Sequence, residues 1–233
     1  MTSALVIGRH RTGKHNGQTI RQVRRALRDA GWTVDGKLVM KKKELERAAR
    51  RAVKHGTDVV VAVGGDGAVV RVASALAETE ATLGIVPTGT GNLLASNLGV
   101  PHGAKEAVRT LVHGRVRQID LGRLETDGKT CDFAVAAGIG FDAEVVDKTV
   151  PAQKLRWGKL AYFANVLGQA GTIQNVEHAI TLDGSSETTE ASQVFIANFG
   201  KMLPFVEPRR RIRPDDGYLD VIIVRASGPV TGL

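Results

Sequence analysis

Two glycine-rich segments are where this sequence could do chemistry. Gly64-Gly65-Asp66-Gly67 directly follows the β-branched run Val59–Val63 and precedes the helical spacing of Val69, Val72, Ala73 and Leu76. Glycine lets a backbone turn sharply and come close to a ligand, and a helix start offers free N–H groups and a positive dipole end suited to phosphate. A carboxylate there needs a reason, because like charges about 4 Å apart repel by roughly 4 kcal/mol at an effective dielectric near 20. Asp66 is therefore expected to meet a metal ion or a hydroxyl donor rather than bare phosphate, and to add little packing. The second segment, Pro87-Thr88-Gly89-Thr90-Gly91-Asn92, follows the run Leu83–Val86 and supplies hydroxyls, flexible positions and an amide at another helix start. Gly89 is expected to leave room for a ligand, and Asn92 alone would read as an N-cap. Either loop by itself fits a plain strand-to-helix turn. Two of them at the same end of neighbouring parallel strands point to a nucleotide site. Thr12-Gly13-Lys14, after the first strand, would reach the same edge, without the spacing of a Walker loop or a GxGxxG fingerprint.

The elements that must position these loops alternate regularly. Strand patterns at Ala4–Gly8, Trp32–Val39, Val59–Val63 and Leu83–Val86 are separated by helical spacing through Ile20–Leu27, Lys41–His55 and Val69–Leu76, with a last helix at Ala104–His113. The alternation predicts an α/β domain of doubly wound type with a mostly parallel sheet over residues 1–114. From Arg115 strands dominate: Val116–Leu124, Cys131–Ala137, Val176–Leu182, Gln193–Ala197 and Tyr218–Val224, interrupted by one helical stretch, Leu155–Gln169. Residues 115–233 are thus expected to form a mainly antiparallel, β-sandwich-like domain.

Composition narrows the classes further. The 233 residues are 42% hydrophobic, which excludes disorder, and no apolar run reaches the roughly 18 residues of a membrane-spanning helix. Cys131 is alone and the six histidines lack metal-ligand spacing, so neither a disulfide framework nor a structural zinc site is expected. The cytoplasm is the expected compartment. A net charge of +8 calls for anionic partners. Only 4% of residues are aromatic, and no helix-turn-helix, zinc or RNP signature is present, so nucleic acid is not the expected partner. Lys41-Lys42-Lys43, Arg209-Arg210-Arg211 and the basic, aromatic Leu155–Gln169 read either as solvated surface and core or as a peripheral contact with an anionic membrane. The oligomeric state is not legible, and a homodimer is kept as a candidate assembly.

These motifs, in this order, resemble the diacylglycerol kinase catalytic family, bacterial lipid kinases related to sphingosine and ceramide kinases. Gly64–Gly67 is similar to the family's GGDG motif and Pro87–Asn92 to its PxGTxN motif. The likeness continues through Leu98–Pro101, Ile119–Gly122, Gly138–Ala143 and Arg213–Leu219. The resemblance implies a nucleotide-binding α/β domain followed by a β-sandwich-like domain, with ATP and Mg²⁺ as cofactors. It implies transfer of the γ-phosphoryl of ATP to a lipid hydroxyl, most simply that of diacylglycerol. ATP contacts would fall on Thr12, Gly13, Gly64, Gly65, Asp66, Gly67, Ala68, Val69, Val70, Gly89, Thr90, Gly91 and Asn92, with Asp66 the catalytic acid of the nucleotide site. Asp216, with the carbonyls of Arg213 and Tyr218, would hold Mg²⁺; without the resemblance, Asp215-Asp216-Gly217 reads as a hairpin turn. The sequence departs from the family pattern at Arg9-His10, Ala68, Arg71 and Val39-Met40-Lys41. The family's general base would lie beyond Leu233, so the second domain is read as C-terminally truncated, with Asp120 and Asp142 the first carboxylates to test in its place. NAD kinase, which shares a GGDG loop, and a catalytically inactive nucleotide-binding, membrane-associated module are the alternatives.

Overall fold

The computed structural model describes residues 1–10, 16–140, 174–202 and 211–225. Four parallel strands, β1 (Ser3–Arg9), β2 (Thr33–Val39), β3 (Val59–Gly64) and β4 (Thr82–Pro87), form one sheet in the order β2-β1-β3-β4. Each is followed by a helix: α1 (Asn16–Asp29), α2 (Lys42–Lys54), α3 (Asp66–Leu76) and the short α4 (Leu93–Asn97), with α5 (Ala104–His113) closing the unit.

The period-two alternation of the strands explains why helices cover both faces. Val60 and Ala62 of β3 turn towards α2, α3 and α4, where they pack with Leu45, Val69, Val72 and Leu94. Val61 and Val63 turn the other way, towards Ile20, Val23 and Leu27 of α1 and Ala107 and Val108 of α5. All of β3 is buried, which is why its sequence is an unbroken apolar run, and each such side chain contributes about 1.5–3 kcal/mol. The chain moves from β1 to β2 on one side and then to β3 on the other. The resulting crevice between the carboxyl ends of β1 and β3 is where ligands of open α/β sheets bind.

The rest of the chain is antiparallel. β5 (Gly122–Thr126) pairs with β6 (Lys129–Phe133), β8 (Val176–Leu182) with β9 (Ser185–Ala191), and β7 (Ala136–Gly140), β10 (Gln193–Ala197) and β11 (Asp220–Val224) form a three-stranded sheet ordered β11-β10-β7. The two hairpins turn on Asp127-Gly128 and Asp183-Gly184, all four residues with positive φ, as two-residue turns between twisted strands demand. The expected strand at 116–124 begins only at Gly122. The residues before it form an extended connector whose Ile119 and Leu121 pack on the α3 side of the core, while Asp120 N–H donates to Pro214 O at 2.6 Å. The expected strand at 131–137 divides into β6 and β7, and Tyr218 and Leu219 precede β11. β9, SSETTEA, has no apolar alternation to announce it and is held by its partner β8. The helical stretch expected at 155–169 lies outside the described residues.

Asp58, at the foot of β3, holds the start of β1. Ser3 N–H and Oγ donate to Asp58 Oδ2 at 2.7 and 2.8 Å, and Asp58 N–H donates to Ser3 Oγ at 3.0 Å. These bonds, the backbone one first, hold the Asp58 carboxyl below its ordinary value of 3.8. A depressed folded value stabilises the fold fully above the unfolded value and ceases to do so as pH falls through the folded one. In urea titrations at pH 6 and pH 3, wild type should therefore lose more stability on acidification than Asp58→Asn. Equal losses would show the bonds to Ser3 to be without weight.

Candidate functional site

The carboxyl ends of β1, β3 and β4 enclose a cleft of about 370 Å³, within the usual range of small-ligand sites. Gly64, Gly65, Asp66, Gly67 and Ala68 line one wall and Thr88, Gly89 and Thr90 another, with Arg9 and Lys42 adding two cations to the one carboxylate. The sequence-derived nucleotide residues therefore fall into distinct groups. Gly64–Ala68, Gly89 and Thr90 line the cleft. Val69 is buried in the core and Val70 packs against it. Gly91 and Asn92 shape the turn. Thr12 and Gly13 lie outside the described residues.

Asp66 has a partner other than the two expected for it. Its Oδ1 accepts the N–H of Leu94 at 3.2 Å, so the carboxylate of the first loop caps the helix that follows the second. Asn92 occupies the N-cap position of α4 but gives it no side-chain bond. Its Oδ1 accepts Gly89 N–H and its Nδ2 donates to Gly89 O, both at 2.9 Å, closing the turn that its φ of 51° opens. The two residues exchange the roles their positions suggest. Asp66 also carries structural weight, contrary to the expectation of little packing.

The glycines separate in the same way. A Cβ on Gly65 would lie 2.9 Å from Gly89 Cα, one on Gly89 would collide with Gly65 Cα, and one on Gly91 would lie 2.8 Å from Asp66 Oδ2. These three are glycine because the loops touch each other, and the space at Gly89 belongs to the neighbouring loop rather than to a ligand. Gly67 is different: nothing lies within 4 Å of a Cβ built there. It sits in the first turn of α3, whose N-cap Gly65 makes no side-chain bond, and this helix start borders the cleft with no side chain among the described residues satisfying its N–H groups.

Asn16 is a site residue that the motif reading missed. It is 5% exposed; its Nδ2 donates to Arg9 O at 2.7 Å, and its Oδ1 accepts from Thr88 Oγ1 at 3.0 Å. One amide thus ties the end of β1 to the loop after β4 across the crevice. Its place as an N-cap-type residue at the head of α1 was the available signal.

The residues proposed for magnesium lie on another loop. Asp216 Oδ1 accepts Tyr218 N–H at 3.2 Å, and Gly217 N–H donates to Asp120 Oδ2 at 2.8 Å. This is an Asx-type turn in an extended segment rather than the hairpin that the Asp-Gly pair suggested. Among the described residues, no three His, Cys, Asp or Glu side chains converge. One exposed carboxylate with neighbouring carbonyls is nevertheless an all-oxygen donor set, the kind Mg²⁺ accepts while keeping several waters. Asp142 lies outside the described residues.

α4 also joins the cleft to the β-rich region. Asn97 at its far end donates from Nδ2 to Lys201 O at 2.9 Å and accepts Lys201 N–H at 3.3 Å, while also bonding Leu93 O at 3.0 Å. Behind it the fully buried Asn198 donates to Asp120 O at 2.7 Å and Ala134 O at 2.9 Å. In urea unfolding, Asp66→Ala should cost about 1 kcal/mol through loss of the cap, with Asp66→Asn recovering most of it. Asn97→Ala should cost about 1 kcal/mol, through loss of its two bonds to the Lys201 backbone. A neutral Asp66→Ala would remove the capping role.

Known proteins resemble this chain in sequence and in fold. The family model described as the diacylglycerol kinase catalytic domain matches residues 3–124, and the one described as the YegS C-terminal NAD kinase beta sandwich-like domain matches residues 134–231. A diacylglycerol kinase of Mycobacterium tuberculosis is 37% identical over 153 residues, 64% of this chain and 48% of its own. A probable YegS-like lipid kinase of Stenotrophomonas maltophilia is 32% identical over 202 residues, 81% of this chain and 63% of its own. The chain thus spans about half the length of the curated relatives it matches. The crystal structure of a diacylglycerol kinase from Bacillus anthracis superposes with a TM-score of 0.74 at 24% identity, covering 97% of this chain and 74% of that one, so the fold is shared along the chain. With its first family model matching 3–124, the chain belongs to the diacylglycerol kinase catalytic domain family.

Proposed function

We propose that the chain is the catalytic part of an ATP-dependent lipid kinase, with residues 1–114 holding the nucleotide and 115–233 serving the lipid. The observation that carries this reading is the glycine start of α3, uncapped by any side chain among the described residues and bordering a cleft at the sheet's switch point. N–H groups there would take phosphate oxygens, and Arg9 and Lys42 would offset their charge. Thr90, exposed on the opposite wall, would donate its hydroxyl. Asp66, fixed by Leu94 N–H, would hold its free oxygen beside the phosphates, where it could accept a hydrogen bond or face a cation. Phosphoryl transfer requires mainly positioning and charge neutralisation, which rigid loops can supply without a nucleophilic side chain. Mg²⁺ would be held by Asp216 with the carbonyls of Arg213 and Tyr218, where it would organise the second-domain loop through its charge.

The acceptor in this reading is a lipid hydroxyl, diacylglycerol first, because relatives at 28–37% identity bear the names diacylglycerol kinase and probable lipid kinase. A peripheral encounter with an anionic membrane accompanies it. No helix among the described residues is long and apolar enough to cross a bilayer.

Gly67→Trp is the direct test, since Gly67 lines the cleft and a Cβ there meets nothing within 4 Å. ATP affinity by calorimetry should fall at least about tenfold, a loss of one or more charge-assisted bonds, with the urea midpoint held near wild type. Unchanged affinity would remove nucleotide from this cleft. Labelled ATP offered with diacylglycerol or with NAD decides the acceptor, and label on NAD alone would replace the lipid reading. Asp216→Ala should shift the Mg²⁺ titration of turnover to higher concentration; an identical titration would leave Asp216 its turn role only.

A further inference from the structure

A second cleft, of about 390 Å³, opens where α4 meets the β-rich region. One wall is the segment 211–215, whose residues alternate between core and water: Ile212 and Pro214 are buried, and Arg211, Arg213 and Asp215 are exposed. Ile212 packs with Phe195 and Met202, and Pro214 O accepts Asp120 N–H at 2.6 Å. The backbone is pinned at two points, and the alternation of burial leaves Arg211, Arg213 and Asp215 exposed while Ile212 and Pro214 are held in place. Arg117, from the connector before β5, completes the basic lining.

The charges in this cleft do not balance. Asp215 lies between two guanidinium groups, 2.9 Å from Arg117 Nη2 and 3.5 Å from Arg213 Nε. Glu46 on α2 likewise lies between two guanidinium groups, those of Arg50 at 3.1 Å and Arg71 at 3.9 Å. In this cleft three arginines stand beside a single lining carboxylate. Asp215 orients two of them towards the same space without exhausting donors that number five on each guanidinium. Arg211 adds a third fork with no ion-pair partner among the described residues.

We propose that this cleft binds a phosphate ester, at a site separate from the nucleotide cleft. Three guanidinium forks call for at least three acceptor oxygens in one small volume. A phosphomonoester presents three terminal oxygens and a charge near −2, whereas a carboxylate presents two oxygens and a single charge. The surplus of two positive charges matches the dianion, and the cleft is large enough for the phosphate with a short polar tail. The arginines would hold such a group whether or not the first cleft takes ATP. The phosphate can come from a lipid headgroup at a membrane surface or from a soluble phosphorylated metabolite.

Calorimetric titration of the whole chain with glycerol 3-phosphate, and sedimentation with phosphatidylcholine vesicles with and without phosphatidate, test the site and its source. The wild type should bind at least one phosphate probe saturably. The double variant Arg117→Ala/Arg211→Ala should weaken binding by at least about tenfold with an unchanged urea midpoint, because both side chains are exposed. Arg211→Gln alone, which breaks no ion pair among the described residues, should weaken it several-fold and serves if the double variant is unstable. Gly67→Trp should leave phosphate binding at the wild-type level, which separates this site from the fate of the nucleotide reading. Binding to phosphatidate vesicles alone would make the source a membrane headgroup, and equal binding of the soluble ester would make it a metabolite; both support the site. Absence of binding to either probe, unchanged affinity in the arginine variants, or loss in Gly67→Trp with retention in the double variant would overturn it.

Discussion

The structure depends on the contact between two loops that are distant in sequence. Gly65 and Gly89 approach so closely that neither could carry a side chain, and Asp66 uses the proximity to cap α4. A buried or half-buried helix start needs its N–H groups satisfied, and α4 is too short to lose one cheaply. The loop after β3 therefore sets where α4 begins, and α4, through Asn97 and the Lys201 backbone, sets where the β-rich region docks. The cleft's shape and the placement of the second region follow from the same few bonds.

This constraint divides the glycines by purpose. Those at 65, 89 and 91 serve the protein's own packing, and that at 67 leaves a surface open. A family motif read as a ligand cradle thus contains two kinds of requirement, and only the space around each backbone position tells them apart. The same holds for the polar residues. Asn92 is spent on its own turn and Asn16 on bridging β1 to the loop after β4, which ties these parts of the cleft wall together by the protein's own bonds. Preorganised walls of this sort lower the ordering cost of binding.

Much of the parallel sheet was legible because burial on both faces writes itself into sequence: Val59–Val63 has no other economical explanation, and the helices between strands keep a clear apolar spacing. The β-rich region was less so. Strands β8 and β9 are largely exposed, so SSETTEA carries no face to read, and 116–121 has strand-like composition although only Ile119 and Leu121 pack on the core, without joining a sheet, while Val116 is exposed. At the site, the loops and their glycines were visible from spacing alone. The exchange of roles between Asp66 and Asn92 was not, since both side chains suit a helix start and only the three-dimensional approach of the loops decides between them. The Asp-Gly pairs carry the same lesson: those at 127–128 and 183–184 are hairpin turns, and that at 216–217 is tied instead to Asp120.

The first strand occupies an interior place in its sheet, with β2 on one side and β3 on the other. Its foot is tied by Ser3 to Asp58, 55 positions later. During synthesis at about 5–20 residues per second, β1 would leave the ribosome seconds before β3 could cover its second edge. An apolar strand left half-paired for that interval is a template for mispairing with other nascent chains. Long-range parallel pairing is also slow to form once the segments are present. The strongly charged first helix, with Arg21, Arg24, Arg25 and Arg28 ahead of β2, would then act as a solubilising escort, its like charges holding neighbouring chains apart until the sheet closes.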